Sequence, residues 1–214
     1  EKISNKTIIV NNPFEVRNAP EKIFVTHFHQ IMPKTIITRN VNSILDFRKR
    51  YKDIIVKPLY GNGGDGVFHV KPSDENFNSI IEIFLKKYKE QFIIQEYLPD
   101  VKKGDKRIIS IDGEVAGAIN RIPAKGESRS NLHVGGKAVK AKLNHNDILI
   151  CKKLSPFLKE KGLFFVGIDI IGNYLTEINV TSPTGIREIN FFNKCNIENL
   201  FWNKLENRLI NHNT

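Results

Sequence analysis

Between Val166 and Val180 the chain reads VGIDIIGNYLTEINV, and this stretch restricts the fold more than any other. Apolar residues alternate with small or oxygen-bearing ones on both sides of Gly172-Asn173, the pattern of a β-hairpin with one face in a core. Register then decides the chemistry. A two-residue turn at Gly172-Asn173 pairs Ile171 with Tyr174, sets Asp169 against Thr176 and turns Glu177 away. A three-residue turn over Gly172–Tyr174 pairs Ile171 with Leu175, Asp169 with Glu177 and Gly167 with Asn179. The longer turn gathers Val166, Ile168, Ile170, Ile178 and Val180 on one face and the oxygens on the other, so it is the expected register. Carboxylates opposed across a strand pair destabilise it unless a cation holds them. Oxygen donors without His or Cys suit Mg²⁺ (or Mn²⁺) better than Zn²⁺. Asp169, Glu177 and Asn179 are therefore candidate metal ligands, the alternative being a solvated polar face. The small polar loop Thr181–Gly185 follows.

A second constraint lies upstream. Gly61-Asn62-Gly63-Gly64-Asp65-Gly66 fits G-x-G-x-x-G by letter, but strand-like Val67–Val70 follows where the dinucleotide fold requires a helix. No G-K-[ST] ending makes it a Walker loop. What remains is a strand–loop–strand flap whose backbone N–H groups can approach an anion, with Lys57 on the entering strand (53–59) to neutralise a phosphate. The competing reading is a flexible hairpin tip beside a solvated lysine.

The remaining pattern is α+β. Short strands are expected at 7–10, 35–39 and 91–98, and a hairpin over 106–122 turns at Asp112-Gly113. Helices are expected at about 20–32, 43–52, 77–88, 146–161 (bent at Pro156) and 196–210. Residues 123–138 lack apolar periodicity and read as a long functional loop. With 214 residues, 40% of them hydrophobic and 26% charged, the chain can bury a sizeable core. No apolar run is long enough to cross a bilayer and the opening residues lack the layout of a signal peptide. Cys151 and Cys195 are too isolated for a zinc site or disulfide framework, so the expected compartment is the cytoplasm, with no membrane partner. The net charge of +10 comes from scattered lysines rather than a basic face with interleaved aromatics, which argues against a nucleic-acid-binding module.

Taken in order, IIVNNPFEVRNAPEKIF, IIVKPLYGNGGDGVFHV, QEYLPDVKKGDKRI, DGEVAGAINRIPAKGESRSN and VGIDIIGNYLTEINVTSPTGIREI resemble the bacterial glutathione synthetases of the ATP-grasp superfamily. The resemblance implies two lobes with antiparallel sheets clamping ATP. Lys22 and Lys57 would contact its phosphates and the flap glycines Gly61, Gly63, Gly64 and Gly66 would cover them. Gln95, Glu96, Tyr97 and Leu98 would form the hinge around adenine, with Asp105 near the ribose. Arg107, Arg121, Arg129, Arg187 and Asn131 are the candidates for carboxylate and acyl-phosphate recognition. The implied reaction joins glycine to γ-glutamylcysteine. A glutamate-adding or D-alanine–D-alanine type of carboxylate–amine ligase is the nearest rival. The resemblance also implies a preceding N-terminal domain, present in family members, that partly holds the peptide substrate; that domain or a homo-oligomer partner is the expected macromolecular partner. The expected division is a linker at 1–20, a small lobe at 21–92 and a large lobe at 93–214 with a lid near 123–138.

Overall fold

The structure is a computed structural model that describes residues 7–61 and 63–212. Residues 1–6, Asn62 and 213–214, parts of the expected linker, flap and large lobe, lie outside the described residues. The chain enters as irregular backbone where a strand was expected at 7–10, then forms α1 (Pro13–Arg17) and α2 (Glu21–Phe24). The helix expected to run to Met32 breaks into a 3₁₀ turn at Val25–Phe28. Val25 and Thr26 are β-branched, and Thr26 Oγ1 donates to the Ile23 carbonyl at 2.7 Å, which competes with helical bonding there.

A first sheet of four strands follows in the order β1 (Thr35–Thr38), β4 (Phe92–Glu96), β2 (Ile54–Pro58), β3 (Phe68–Val70), antiparallel throughout. Two amphipathic helices, α3 (Val41–Tyr51) and α4 (Phe77–Lys87), cover it. Ile44, Phe47, Phe77, Ile81 and Phe84 interlock there with Ile54, Val56, Phe92 and Ile94. Asn40 caps α3 by accepting from the Ser43 N–H at 3.0 Å.

The second sheet has five strands, in the order β7 (Lys137–Lys140), β6 (Glu114–Ile122), β5 (Asp105–Ile111), β8 (Phe165–Ile171), β9 (Tyr174–Asn179). Asp112 and Gly113 both take positive φ (54° and 72°), the two-residue turn that the Asp-Gly pair foretold. One face of this sheet packs against α5 (His145–Glu160), whose start is fixed by a capping box between Asn144 and Asp147. α5 continues through Pro156. Phe24, Val25, Phe28 and Met32 join this core, so residues 21–32 pack on the second sheet rather than opening the first lobe, because that is where their apolar side is covered. The crossing between sheets lies between Glu96 and Asp105, a few residues beyond the expected boundary, since β4 completes the first sheet.

The other face of the second sheet is divided. Ile109, Ile111 and Ile119 are covered by α6 (Ile186–Asn193) and α7 (Ile197–His212) through Ile189 and Ile197. Two residues back along the same strands, the same face carries Arg107, Asp105, Arg121 and Asp169, all 2–7% exposed. This polar row looks into the space between the sheets.

Candidate active site

That space is a cleft of about 500 Å³, within the range of small-molecule sites. Its floor is an ion-pair chain. Arg107 grips Asp169 through both oxygens (Nε–Oδ1 2.5 Å, NH2–Oδ2 2.8 Å), and Arg121 NH2 bridges Asp169 Oδ2 (3.1 Å) and Asp105 Oδ2 (2.5 Å). Ser130, from the long loop, donates to Asp105 Oδ2 at 2.8 Å, while Asp105 Oδ1 and Arg121 Nε are buried without a hydrogen-bond partner among the described residues. Burial pushes the Asp105 carboxyl up to about 6, despite Arg121, with the nearby Asp169 charge adding to the rise. Burial pushes Asp169 the same way, but Arg107 and Arg121 outweigh it and bring the group down to about 2.

The β8–β9 hairpin supplies the wall beside this floor, by a route that combines both registers considered above. Its turn is the two-residue Gly172-Asn173, with Ile171 opposite Tyr174 and Ile170 opposite Leu175. A bulge then makes Thr176 the extra residue, and Asp169 faces Glu177 and Gly167 faces Asn179 as expected. The expected three-residue turn is thus replaced by a shorter turn plus a bulge; Thr176 Oγ1 donates to the Asp169 carbonyl at 3.1 Å.

The three candidate metal ligands share the cleft. Asn179 Nδ2 donates to Asp169 Oδ2 at 3.3 Å, which leaves its Oδ1 for other use. The half-buried Glu177 carboxylate makes no hydrogen bond or ion pair with the described residues. No cluster of three or more His, Cys, Asp and Glu side chains suited to a metal occurs among the described residues, so the set is two carboxylates and an amide. Its chemistry fits a hard cation that keeps positions for water and phosphate. Glu177 and Asn179 are available as they stand, whereas Asp169 has both oxygens occupied by guanidinium groups.

The first sheet provides the opposite wall. Lys57, on β2, is buried and donates to Gln95 Oε1 at 3.0 Å, and Gln95 Nε2 donates to Thr35 Oγ1 at 2.8 Å. Burial lowers the Lys57 pKa, and the Lys22 charge adds to this, with Glu177 opposing. Lys22 reaches the flap, donating to the Gly61 carbonyl, and pairs with Glu21 at 2.5 Å. At the crossing, Glu96 Oε1 accepts from the Lys34 N–H (2.9 Å), and the Tyr97 N–H bonds the Asp53 carbonyl (3.0 Å). The Tyr97 ring stacks on His69 at 3.8 Å and 13°, and His69 meets Asp53 at 3.0 Å. Tyr97 and Leu98 both line the cleft.

Flap and long loop meet above. Arg129 NH1 donates to the Gly64 carbonyl at 3.2 Å and NH2 pairs with Glu127 at 2.6 Å. The expected loop at 123–138 ends earlier, because Lys137 and Ala138 already pair with Ile122 and Arg121 in β7. Gly61, Gly63, Gly64, Arg129 and Asn131 all line the cleft. Two expected site residues do not. Gly66 sits behind the flap, where a Cβ would lie 3.1 Å from Tyr88 Oη and 3.2 Å from Pro58 Cδ. Arg187 is exposed on α6, close enough to Glu198 to lower its pKa, though the Glu198 backbone N–H and Asn190 contribute more. Sequence reasoning missed Ser130, Thr176 and Glu21 in the cleft and Thr35 behind Gln95; the three hydroxyl side chains are short and carry no pattern of their own, and Glu21 reads as an ordinary acid in the first turn of a helix.

Two α+β lobes closing on a cleft of this kind form the ATP-grasp fold. A D-alanine–D-alanine ligase of Bacillus anthracis, solved with ATP, matches with a TM-score of 0.60 over 91% of this chain and 67% of its own, at 17% identity. A D-cycloserine synthetase matches with a TM-score of 0.67 over 83% of this chain and 67% of its own, at 15% identity. At these identities the likeness shows the fold alone. Within that class the chain belongs to the family of the prokaryotic glutathione synthetase ATP-grasp domain, whose model matches residues 21–194. Glutathione synthetases of Agrobacterium fabrum and Brucella melitensis are 54% and 55% identical to it over 208 residues, covering 97% of this chain and 65% and 67% of theirs. The chain thus spans about two thirds of the length of these relatives.

Proposed function

We propose that this chain is the ATP- and metal-binding part of an ATP-dependent ligase that joins glycine to γ-glutamylcysteine through an acyl phosphate. The observation that carries the reading is the buried row Arg107–Asp169–Arg121–Asp105 facing Lys57, with Glu177 beside it, close enough to oppose the lowering of the Lys57 pKa by burial but in no hydrogen bond or ion pair among the described residues. Phosphoryl transfer demands positioning and charge neutralisation more than covalent chemistry from the protein. In this reading Lys57 and Lys22 bind the nucleotide phosphates beneath the flap, and the crossing 95–98 holds the base. Glu177 and Asn179 would hold Mg²⁺ or Mn²⁺, with Asp169 joining them where a guanidinium releases one of its oxygens, and the ion would supply positive charge to the phosphate oxygens. Arg107 and Arg121 orient the cysteinyl carboxylate as it takes the γ-phosphate, since a planar fork matches a carboxylate. Glycine's amine then displaces phosphate. Arg129 and Asn131, lying over the cleft, exclude water from an intermediate that hydrolyses readily. Two unpaired cysteines, Cys151 buried and Cys195 exposed, accord with a reducing cytoplasm, and no described helix is long and apolar enough to cross a membrane.

A phosphate-release assay with ATP, γ-glutamylcysteine and glycine, omitting each in turn, tests the reading. Release that needs all three supports it. Release with a D-amino acid or glutamate acceptor, and none with glycine, replaces it with one of the rival ligases.

A further inference from the structure

Asn11 precedes the segment matched by the family model and is not among the residues lining the cleft. Its side chain nonetheless does the work of a missing strand. The β8–β9 ladder ends at Gly167 opposite Asn179, while the N–H and carbonyl of Phe165 still face the side where β9 would continue. The Asn11 carboxamide fills that place. Oδ1 accepts from the Phe165 N–H at 2.7 Å, and Nδ2 donates to the carbonyls of Phe165 and Val180, both at 2.8 Å. The Asn12 N–H anchors the segment further on the Gly162 carbonyl at 3.1 Å.

Val180 is the residue from which the cleft loop Thr181–Gly185 departs, and all five loop residues line the cleft. The loop lies close on β8, where a Cβ on Gly167 would come within 2.7 Å of the Pro183 side chain. At its far end the Thr184 carbonyl accepts from Arg107 NH1 at 3.1 Å, the same arginine that grips Asp169. Asn11 therefore ties down one root of the loop and Arg107 the other. Gly167 lies two residues beyond Asp169 on β8, away from the crossing at Tyr97, so this loop borders the end of the cleft opposite the base pocket.

We propose that Asn11 is a positioning residue for the Thr181–Gly185 wall, and through it for the non-nucleotide substrates. The second half of this statement rests on the function proposed above; the first does not. Asn11→Ala removes all three bonds. Asn11→Asp keeps the volume and the acceptor but sets a carboxylate against two carbonyl oxygens. A side chain that merely filled space would tolerate the second change.

Hydrogen exchange on the full chain reads the positioning directly. Both variants are expected to speed exchange at residues 180–188 by roughly tenfold or more, as loss of buried bonds to two carbonyls implies, with β5, β6 and the flap unchanged. No change at 180–188, or an equal rise across the second sheet, overturns the proposal. In the phosphate-release assay the KM for γ-glutamylcysteine or glycine should rise while ATP affinity holds. A loosened loop with unaltered KM and kcat also overturns it. If the unmodified chain turns over too slowly to give a KM, the exchange result alone decides whether Asn11 places the loop.

Discussion

Asp169 and Glu177 stand opposite each other on neighbouring strands, yet one receives two guanidinium groups and the other none. Their substitutions should separate accordingly. Asp169→Asn leaves buried arginines short of an anion, and breaking such a buried network costs about 3–5 kcal/mol, read as a lowered midpoint in urea unfolding. Glu177→Gln removes no bond among the described residues, so stability should shift by no more than about 0.5 kcal/mol. Its effect falls on the cation instead. A unit charge at close range in a medium of intermediate dielectric is worth several kcal/mol, so Mg²⁺-dependent ATP binding should weaken by roughly tenfold or more. An unchanged Mg²⁺ titration would remove Glu177 from the metal set.

Among the elements, the flap and the loop over residues 123–136 are joined where Arg129 meets the Gly64 carbonyl. Gly64 has φ +80°, and a Cβ there would lie 2.8 Å from Asn131 Oδ1 and 2.9 Å from Arg129 Cδ. Gly64→Ala combines a left-handed alanine, which costs about 1–2 kcal/mol, with a clash between flap and loop. ATP affinity is expected to fall by roughly tenfold, with faster protease cleavage in the loop; an unaltered ATP titration would show that the contact is idle. The β8–β9 hairpin shows how much of this was legible. Its alternation gave the Asp169–Glu177 and Gly167–Asn179 pairings, because only one register separates the oily face from the oxygen-bearing one. It could not give the bulge at Thr176, since a short turn plus an extra residue and a longer turn without one leave the same pairs opposed. The helix expected over 20–32 failed for a related reason: Ile23, Phe28 and Ile31 have helical spacing, but a threonine hydroxyl competes for the backbone carbonyl. Arg187 is a candidate through the resemblance of the stretch TSPTGIREI, whereas α6 leaves it exposed and outside the lining of the cleft.

At the scale of the molecule, both walls and the floor of the cleft proposed to hold ATP come from one chain that spans about two thirds of its relatives' length. Binding and turnover should therefore part company. Mg-ATP is expected to bind this chain, while ligation of γ-glutamylcysteine to glycine falls far below that of the full-length A. fabrum relative assayed beside it. Equal turnover would show that the peptide needs nothing more than these residues.

The divided face of the second sheet has a last consequence. Charged and oily side chains alternate in blocks along the same three strands, so the buried charged row is mounted on strands that are paired on both sides. The flap, the long loop and the Thr181–Gly185 wall are hung around it from separate roots. Under the proposed function, a changed Thr181–Gly185 wall would alter which acid and which amine are admitted while the buried row stays in place, whereas the flap and the long loop, tied where Arg129 meets Gly64, would have to change together.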